Sequence, residues 1–466
     1  MVEKLCTFFG VQDMTLGKPM TVLIRFSVPL LIGNFAQQLY NTVDSIIVGK
    51  YIGDTALAAV GTAGPIINLL LVLFMGISTG ASILSAQYFG AKDRENLSHV
   101  VGSSIFLTIA SGLLMTVLGY FASPWLVSLV APPDEVAVGA TVYLQIIFLG
   151  ILGGAAYNIL SGVLRGLGDS VFPLLFLILS SLLNIALDIL FVSQFGMGIA
   201  GVAWATIIAQ GISGALCLVR LCLMKQVVDI NRATLKPHKV LVLRLCKLGL
   251  PAGITQAIFS MASIIVQGLT NSLGTAVIAA NVAVMRVDGF AMMPNFTFGT
   301  AATTYVGQNV GAGLSSRIRT GTRDLLKLAL GTAVVLVACI LLFGHNLINL
   351  FTDTPDVIDL GIQGLRWLAF GYICFAVTQV LQGVMRGAGE TMIPMYISII
   401  TTVILRMPLA YLIAALTKSE TWPNGHPYCI FASLLISWLV GTILSVIVYR
   451  TNRWKRRLPK QMQEEL

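Results

Sequence analysis

The stretch Asn34-Phe35-Ala36-Gln37-Gln38-Leu39-Tyr40-Asn41-Thr42-Val43-Asp44 lies inside a long apolar segment running from residue 21 to 48. Asn34, Gln37, Asn41 and Asp44 are spaced three, four and three residues apart. On a helix that spacing gathers them into one polar stripe. An ionisable Asp within a membrane-length segment is costly unless it meets water, a partner or an ion. The rest of the chain is therefore expected to enclose this stripe.

The surrounding composition sets the environment. The 466 residues are 56% apolar and only 11% charged, with a mean hydropathy of +0.87. Soluble domains carry about 25% charged residues, so this chain cannot cover a water-facing surface. It reads as an all-α polytopic membrane protein in which each helix satisfies its own backbone. At about 20 apolar residues per span, twelve spans are expected: 21–48, 56–83, 97–123, 137–161, 171–193, 197–222, 246–270, 276–306, 321–344, 358–384, 392–416 and 427–449. The net charge of +9 does not point to nucleic acid, because the basic residues sit in short loops and a tail. The loops after the sixth and eighth spans (Lys225, Arg232, Lys236, Lys239; Arg317, Arg319, Arg323, Lys327) share one side with the tail at 451–466. Opposite loops hold Asp134, Glu135, Asp353 and Asp356. The positive-inside rule then makes both termini cytoplasmic, and the tail needs no role beyond fixing topology near anionic headgroups. No secretory signal is expected before the first span. Seven scattered cysteines, Cys6, Cys217, Cys222, Cys246, Cys339, Cys374 and Cys429, read as small buried hydrophobes rather than disulfides or metal ligands.

An internal duplication organises the spans. SGVLRGLGDSVFP at 161–173 pairs with QGVMRGAGETMIP at 382–394, an offset of 221 residues. The same offset aligns QYFGA at 87–91 with QNVGA at 308–312, and Gly53 with Gly274. Each copy has an even number of spans, so the two are expected to be pseudo-symmetric lobes about an axis along the membrane normal, with a substrate path between them. The domain reading is a first lobe at 1–223, a linker at 224–240, a second lobe at 241–450 and a basic tail at 451–466. The Arg-Gly-x-Gly segments lack a preceding strand and a Walker lysine, so they are weak as phosphate loops. They read as tight turns: Gly166 and Gly168 end one helix, Asp169 or Ser170 caps the next, Pro173 fits its first turn, and Arg165 and Arg386 reach the cytoplasmic rim.

Few ionisable residues lie deep in spans: Asp44, Asp188, Arg286, Asp288, Arg366 and Arg406. The first and fifth spans both run outward, and a rise of 1.5 Å per residue puts Asp44 and Asp188 at similar depth in the outer half. Asn41 and Asn184 lie one turn below them. Two amide-flanked acids at one depth suit a proton that loads and unloads, or Na⁺ held by carboxylate and amide oxygens. The corresponding second-lobe positions, Ile265 and Leu409, carry no acid. That lobe keeps a polar stripe of Gln256, Ser260, Ser263, Gln267 and Asn271, and its methionines, Met285 among them, suit an adaptable pocket. Arg286 and Asp288 are two residues apart and cannot face each other on a helix; they are expected to pair across helices as structural residues.

Twelve spans in two repeats, YNTVDSIIVG at 40–49, NIALDILF at 184–191, the QYFGA and QNVGA segments and the paired Arg-Gly-x-Gly turns together resemble the MATE (multidrug and toxic compound extrusion) transporters over essentially the whole chain. The resemblance implies an antiporter of the bacterial inner membrane, not an enzyme. It would export organic cations and other amphipathic compounds in exchange for H⁺ or Na⁺, by alternating access, with no cofactor. It carries a cation site onto Asp44, Asn184 and Asp188. The cleft would be lined by Asn34, Gln37, Tyr40, Asn41, Gln256, Phe259, Ser263 and Met285. The implied partners are small amphipathic substrates and the lipid bilayer, with no nucleic acid, and the working unit is a monomer. Family branches with acids in the seventh and tenth spans differ from this chain, which has Gln256 and Phe259 in that region and no acid from 362 to 384. Two rival functions are a lipid-linked saccharide flippase, which calls for a basic cavity, and a lipid-processing enzyme, which calls for clustered nucleophiles or histidines. Neither explains the paired acids.

Overall fold

The computed structural model describes residues 10–130 and 133–465, without the side chains of Asn41, Ser45, Ile46, Asp54 and Leu57. Cys6 and the Asn41 side chain thus lie outside the described residues. Helices α1 (Pro19–Tyr51), α2 (Asp54–Gly90) and α3 (Arg94–Val130) come first. They are followed by α4 (Asp134–Leu149), α5 (Ile151–Gly166), α6 (Val171–Ile189) and α7 (Gly198–Leu223). The second half contains α8 (Lys239–Ser272), α9 (Thr275–Gly311), α10 (Ser315–Asn349) and α11 (Pro355–Gly387). It ends with α12 (Met392–Ser398), α13 (Met407–Leu416), α14 (Tyr428–Arg450) and a short α15 (Lys460–Glu465).

Among the described residues, eleven helices or joined segments are long and apolar enough to cross a membrane, and the pair α4 and α5, bent by 53°, makes a twelfth if it is one span. The bend falls at Gly150, where a Cβ would collide with Ile207. Most spans run longer than their apolar cores suggest. α2, expected at 56–83, continues to Gly90 because Gln87 and its neighbours still favour helix beyond the hydrocarbon. Its 37 residues reach about 55 Å, against about 30 Å of bilayer core. Apolar residues point outward on many faces: Phe121, Leu342, Leu350 and Leu416 are each more than 75% exposed. That belt is what a lipid-facing surface requires. The cysteines divide: Cys217, Cys374 and Cys429 are buried, whereas Cys222 and Cys339 are exposed rather than buried as expected.

The chain divides into two compact units. One comprises Met1–Thr15 and Ile24–Gly253, the other Leu16–Leu23 and Ile254–Leu466. One boundary precedes α1, and the other two fall inside long helices, α1 and α8. The first half of α8 belongs to the first unit because glycines bring it against α2: a Cβ at Gly76 would stand 2.8 Å from the Gly249 carbonyl oxygen. Small residues are how helix backbones approach closely in lipid. Within the second unit, Arg317 donates to the Gly17 carbonyl at 2.8 Å. Residues 224–238 fold onto α3: Arg94 pairs with Asp229 at 2.6 Å, and the Asp229 amide donates to Ser98 Oγ at 2.9 Å.

The repeat is visible in the backbone. Gly53 and Gly274 have φ of 106° and 107°, and Gly168 and Gly389 have 86° and 87°. Lys92 takes the same left-handed region (56°) as its counterpart Gly313 (71°). Gly168 is needed twice over, because a Cβ there would also strike the Gln12 carbonyl. After it, Asp169 Oδ1 accepts the Phe172 amide at 3.2 Å and Oδ2 pairs with Arg220 at 3.1 Å. Glu390 repeats the device, capping the Met392 amide at 3.1 Å and pairing with Arg457 at 3.4 Å.

Arg165 and Arg386 depart from the expected rim position. Arg165 turns inward and donates to Ser78 Oγ at 3.3 Å, and Arg386 lies against Gly299. Helical side chains lean towards the helix N-terminus, which draws these last-turn residues back along α5 and α11 into the protein.

Candidate cation site in the first unit

Asp44 on α1 and Asp188 at the end of α6 turn their carboxyl groups to each other. Asp188 is fully buried and Asn184 is 1% exposed, while Asp44 is half-buried. One oxygen of each acid, Oδ1 in both, is shielded and has no hydrogen-bond partner. The rest of the shell comes from three further side chains. With its amide set so that both ends find partners, Asn184 donates to Asp188 Oδ2 at 3.0 Å and to Tyr40 Oη at 3.2 Å, and accepts the Thr206 amide at 3.1 Å. Tyr40 and, from α4, Tyr143 aim their hydroxyls at Thr206 on α7. The Thr206 hydroxyl gives its own proton to the Val202 carbonyl at 2.9 Å, so its lone pairs remain for the phenols.

This arrangement has a local origin. Tyr40 and Asp44, like Asn184 and Asp188, are four residues apart, so each helix presents its pair on one face. Directly after Asp188 the helix loosens into a π turn, Leu190–Gln194, a distortion that often accompanies functional positions. Chemically the shell is rich in oxygen. Two facing carboxylates away from bulk water repel when both are charged, and a shared proton or a small cation between them relieves that repulsion.

Not all the expected residues meet here. Asn34 and Gln37 are half-buried further down α1. In the second unit, Phe259 borders a small cavity of about 30 Å³ together with Phe375, Gln379, Gln382, Thr402 and Trp438. Gln256, Ser263 and Met285 are exposed and are not among the residues bordering it. Arg286 is exposed, whereas Asp288 faces Tyr372 on α11 and Arg406, which a π segment, Ile399–Arg406, carries inward. Sequence reasoning missed Tyr143 and Thr206. Other polar residues share their helices, Thr141 and Gln145 in α4 and Gln210 and Ser213 in α7, so only depth, about nine residues from the helix start, could have singled them out.

Twelve spans, a duplicated six-span plan and a buried acid pair define a membrane transporter of the two-repeat type. The family model for MatE matches residues 29–190 and again 251–412, and the chain belongs to that family. It is 32% identical to a probable multidrug resistance protein, YpnP, of Bacillus subtilis (strain 168), over 95% of this chain and 97% of that one. It is 26% identical to a probable multidrug resistance protein, NorM, of Thermotoga maritima, over 95% of both chains. A solved outward-facing multidrug resistance MATE transporter of the MOP superfamily superposes with a TM-score of 0.87 at 25% identity, covering 95% of this chain and 97% of that one. The chain is therefore an integral membrane transporter of the plasma membrane, as its bacterial relatives imply, and not an enzyme.

Proposed function

We propose that this chain is a monomeric antiporter that exports organic cations and other amphipathic drugs in exchange for H⁺ or Na⁺, by alternating access. The observation that carries the reading is the facing pair Asp44 and Asp188, each with a shielded oxygen that lacks a partner. Names of relatives such as probable multidrug resistance protein support drug export. Asn184 orients Asp188 and links it to Tyr40, so binding or loss of the ion at the acids changes how α1 and α6 hold together. A ligand shifts a conformational equilibrium only through its different affinity for the two states. Here the ion entering from outside favours the state that has released substrate. Asn34, Gln37, Tyr40 and Asn41 would meet the substrate along α1, with Gln256, Phe259, Ser263 and Met285 as second-unit counterparts.

The test is uptake of an ethidium-like cation into proteoliposomes of the purified protein under an imposed pH or Na⁺ gradient. Uptake should follow one of the two gradients. Uptake indifferent to both would overturn the coupling and favour a flippase.

A further inference from the structure

In each unit the segment that follows the last span folds back onto the third helix of the repeat. In the first unit residues 224–238 lie on α3. There Ser98 Oγ accepts the Asp229 amide at 2.9 Å, and a Cβ on Gly102 would collide with the Thr234 carbonyl. In the second unit the chain reverses after α14 at Asn452, whose φ is 58°. Trp454 then tucks back against α14. Its ring stacks on Tyr449 with centroids 5.4 Å apart, and Nε1 donates to the Tyr449 carbonyl at 3.0 Å. Arg457 pairs with Glu390 at 3.4 Å, and Arg319 of α10 donates to the Glu465 carbonyl at 3.2 Å. Residues 451–465 thus form a strap across the ends of α10 and α14 and the turn between α11 and α12.

The strap has two faces. Trp454, Leu458 and Met462 are four residues apart and only 1%, 4% and 4% exposed, so the apolar face is already occupied by the protein. Arg450, Arg453, Arg456, Arg457 and Lys460 are exposed. Among the described residues, Arg457 alone of these five has an ion pair. Nearby acids do not neutralise the rest: Asp324 pairs with Lys327 at 3.8 Å, and Glu464 and Glu465 lie at the far end of α15. A topology signal needs only charge beside a span. It does not need a tryptophan, a leucine and a methionine folded away so that the charges remain outside.

The duplication supplies the control. Arg319, Arg323 and Lys327 form one row on α10, and their counterparts on α3 are Ser98, Gly102 and Phe106. In the first unit the small residues Ser98 and Gly102 let the chain lie flush on the helix, and backbone contact closes that surface. In the second unit Arg323 and Lys327 stand exposed, one and two turns beyond Arg319. The 35 residues of α10 reach about 52 Å, against about 30 Å of bilayer core. Its apolar residues begin after Lys327, so the charged first turns stand at the level of the headgroups.

We propose that the strap and the basic row of α10 form a docking surface for anionic phospholipid headgroups of the cytoplasmic leaflet, and that these headgroups hold the strap in its folded-back position. Guanidinium forks match phosphate oxygens, and basic segments beside a bilayer are attracted to anionic lipid. Lipid that binds only the docked strap stabilises the docked state. The strap of the second unit therefore responds to membrane charge, whereas the linker of the first unit, held by backbone contacts and small residues, does not.

The experiment is hydrogen exchange of the full-length protein in nanodiscs of phosphatidylcholine, alone or mixed with phosphatidylglycerol. Amides of residues 452–465 should exchange at least about tenfold more slowly with the anionic lipid, less than the pull of two basic residues near such a surface. Those of residues 224–238 should not change. The slowing should vanish in high salt and in the triple variant Arg453→Gln, Arg456→Gln and Lys460→Gln, whose side chains are exposed. Arg323→Gln with Lys327→Gln should reduce it. Equal exchange in the two bilayers, equal slowing of residues 224–238, or undiminished slowing in either variant would overturn the proposal. So would inorganic phosphate that slows exchange as well in phosphatidylcholine alone, which would make the surface a site for free phosphate. The readout involves neither ion nor drug, so its failure is distinct from failure of the coupling reading.

Discussion

The two units are copies that agree in backbone and disagree in where they leave chemistry unsatisfied. Gly53 and Gly274, or Gly168 and Gly389, differ in φ by one degree, and the two Arg-Gly-x-Gly turns cap the following helix with an acid in the same way. The side chains diverge. In the first unit the inner arginine is bonded and the open groups are carboxyl oxygens further out, on Asp44 and Asp188. In the second unit the outer acids are replaced by Ile265 and Leu409, and the buried atoms without a partner include Asp288 Oδ1, Tyr372 Oη and Arg406 Nε. Asp288 there faces an internal cation, Arg406, where the first unit sets acid against acid. A duplicated scaffold thus keeps what folding needs, the positive-φ glycines and caps, while the buried polar side chains differ between its halves.

The strongest way to break this comparison is at the acids. Asp188→Asn and Asp44→Asn should each lower gradient-driven uptake at least about 100-fold, the effect of losing roughly 3 kcal/mol of coupling, with expression and melting temperature near wild type. Their counterparts Ile265→Asn and Leu409→Asn should leave gradient dependence intact. Next comes Asp288→Asn. It strips Arg406 and Tyr372 of their facing carboxylate and should cost about 2 kcal/mol of stability, the cost of leaving a buried polar partner unsatisfied. The readout is a lower melting temperature in detergent with ion coupling preserved. If coupling is lost, the division between the units is wrong.

Smaller effects sharpen the same contrast. Asp169→Ala should destabilise by about 2 kcal/mol, through a lost cap and a stranded Arg220. Glu390→Ala should cost about 1 kcal/mol, because its partner Arg457 is 52% exposed and rehydrates. Gly53→Ala and Gly274→Ala should be equal, about 1–3 kcal/mol each, since both hold an extended positive-φ conformation that only Gly adopts readily, with nothing within 4 Å of an added Cβ. Unequal melting shifts would show that the two turns carry different loads.

Much of this was readable in the chain. Hydropathy located the spans because each needs a membrane-length apolar core, and the offset of 221 residues revealed the duplication. Asp44 and Asp188 were matched by depth alone, and the fold brings them face to face. Three kinds of feature stayed hidden. Helix ends ran on because hydropathy reports the hydrocarbon and not the helix. The π segments at Leu190–Gln194 and Ile399–Arg406 leave no period in the sequence, yet they set where Asp188 and Arg406 lie. Partnership was invisible too. Arg165 and Arg386 look alike in their motif, and only the residue opposite separates a guanidinium bonded to the Ser78 hydroxyl from one packed against Gly299.

The central claim, that the acid pair binds the ion that substrate displaces, is most directly tested by counting ions. An ethidium-like cation is added to purified protein, and H⁺ release is followed in weakly buffered solution while displaced radioactive Na⁺ is counted. The account predicts release of one of the two ions from the wild type and from Asp288→Asn, and none from Asp44→Asn or Asp188→Asn. Undiminished release from both acid variants would contradict it.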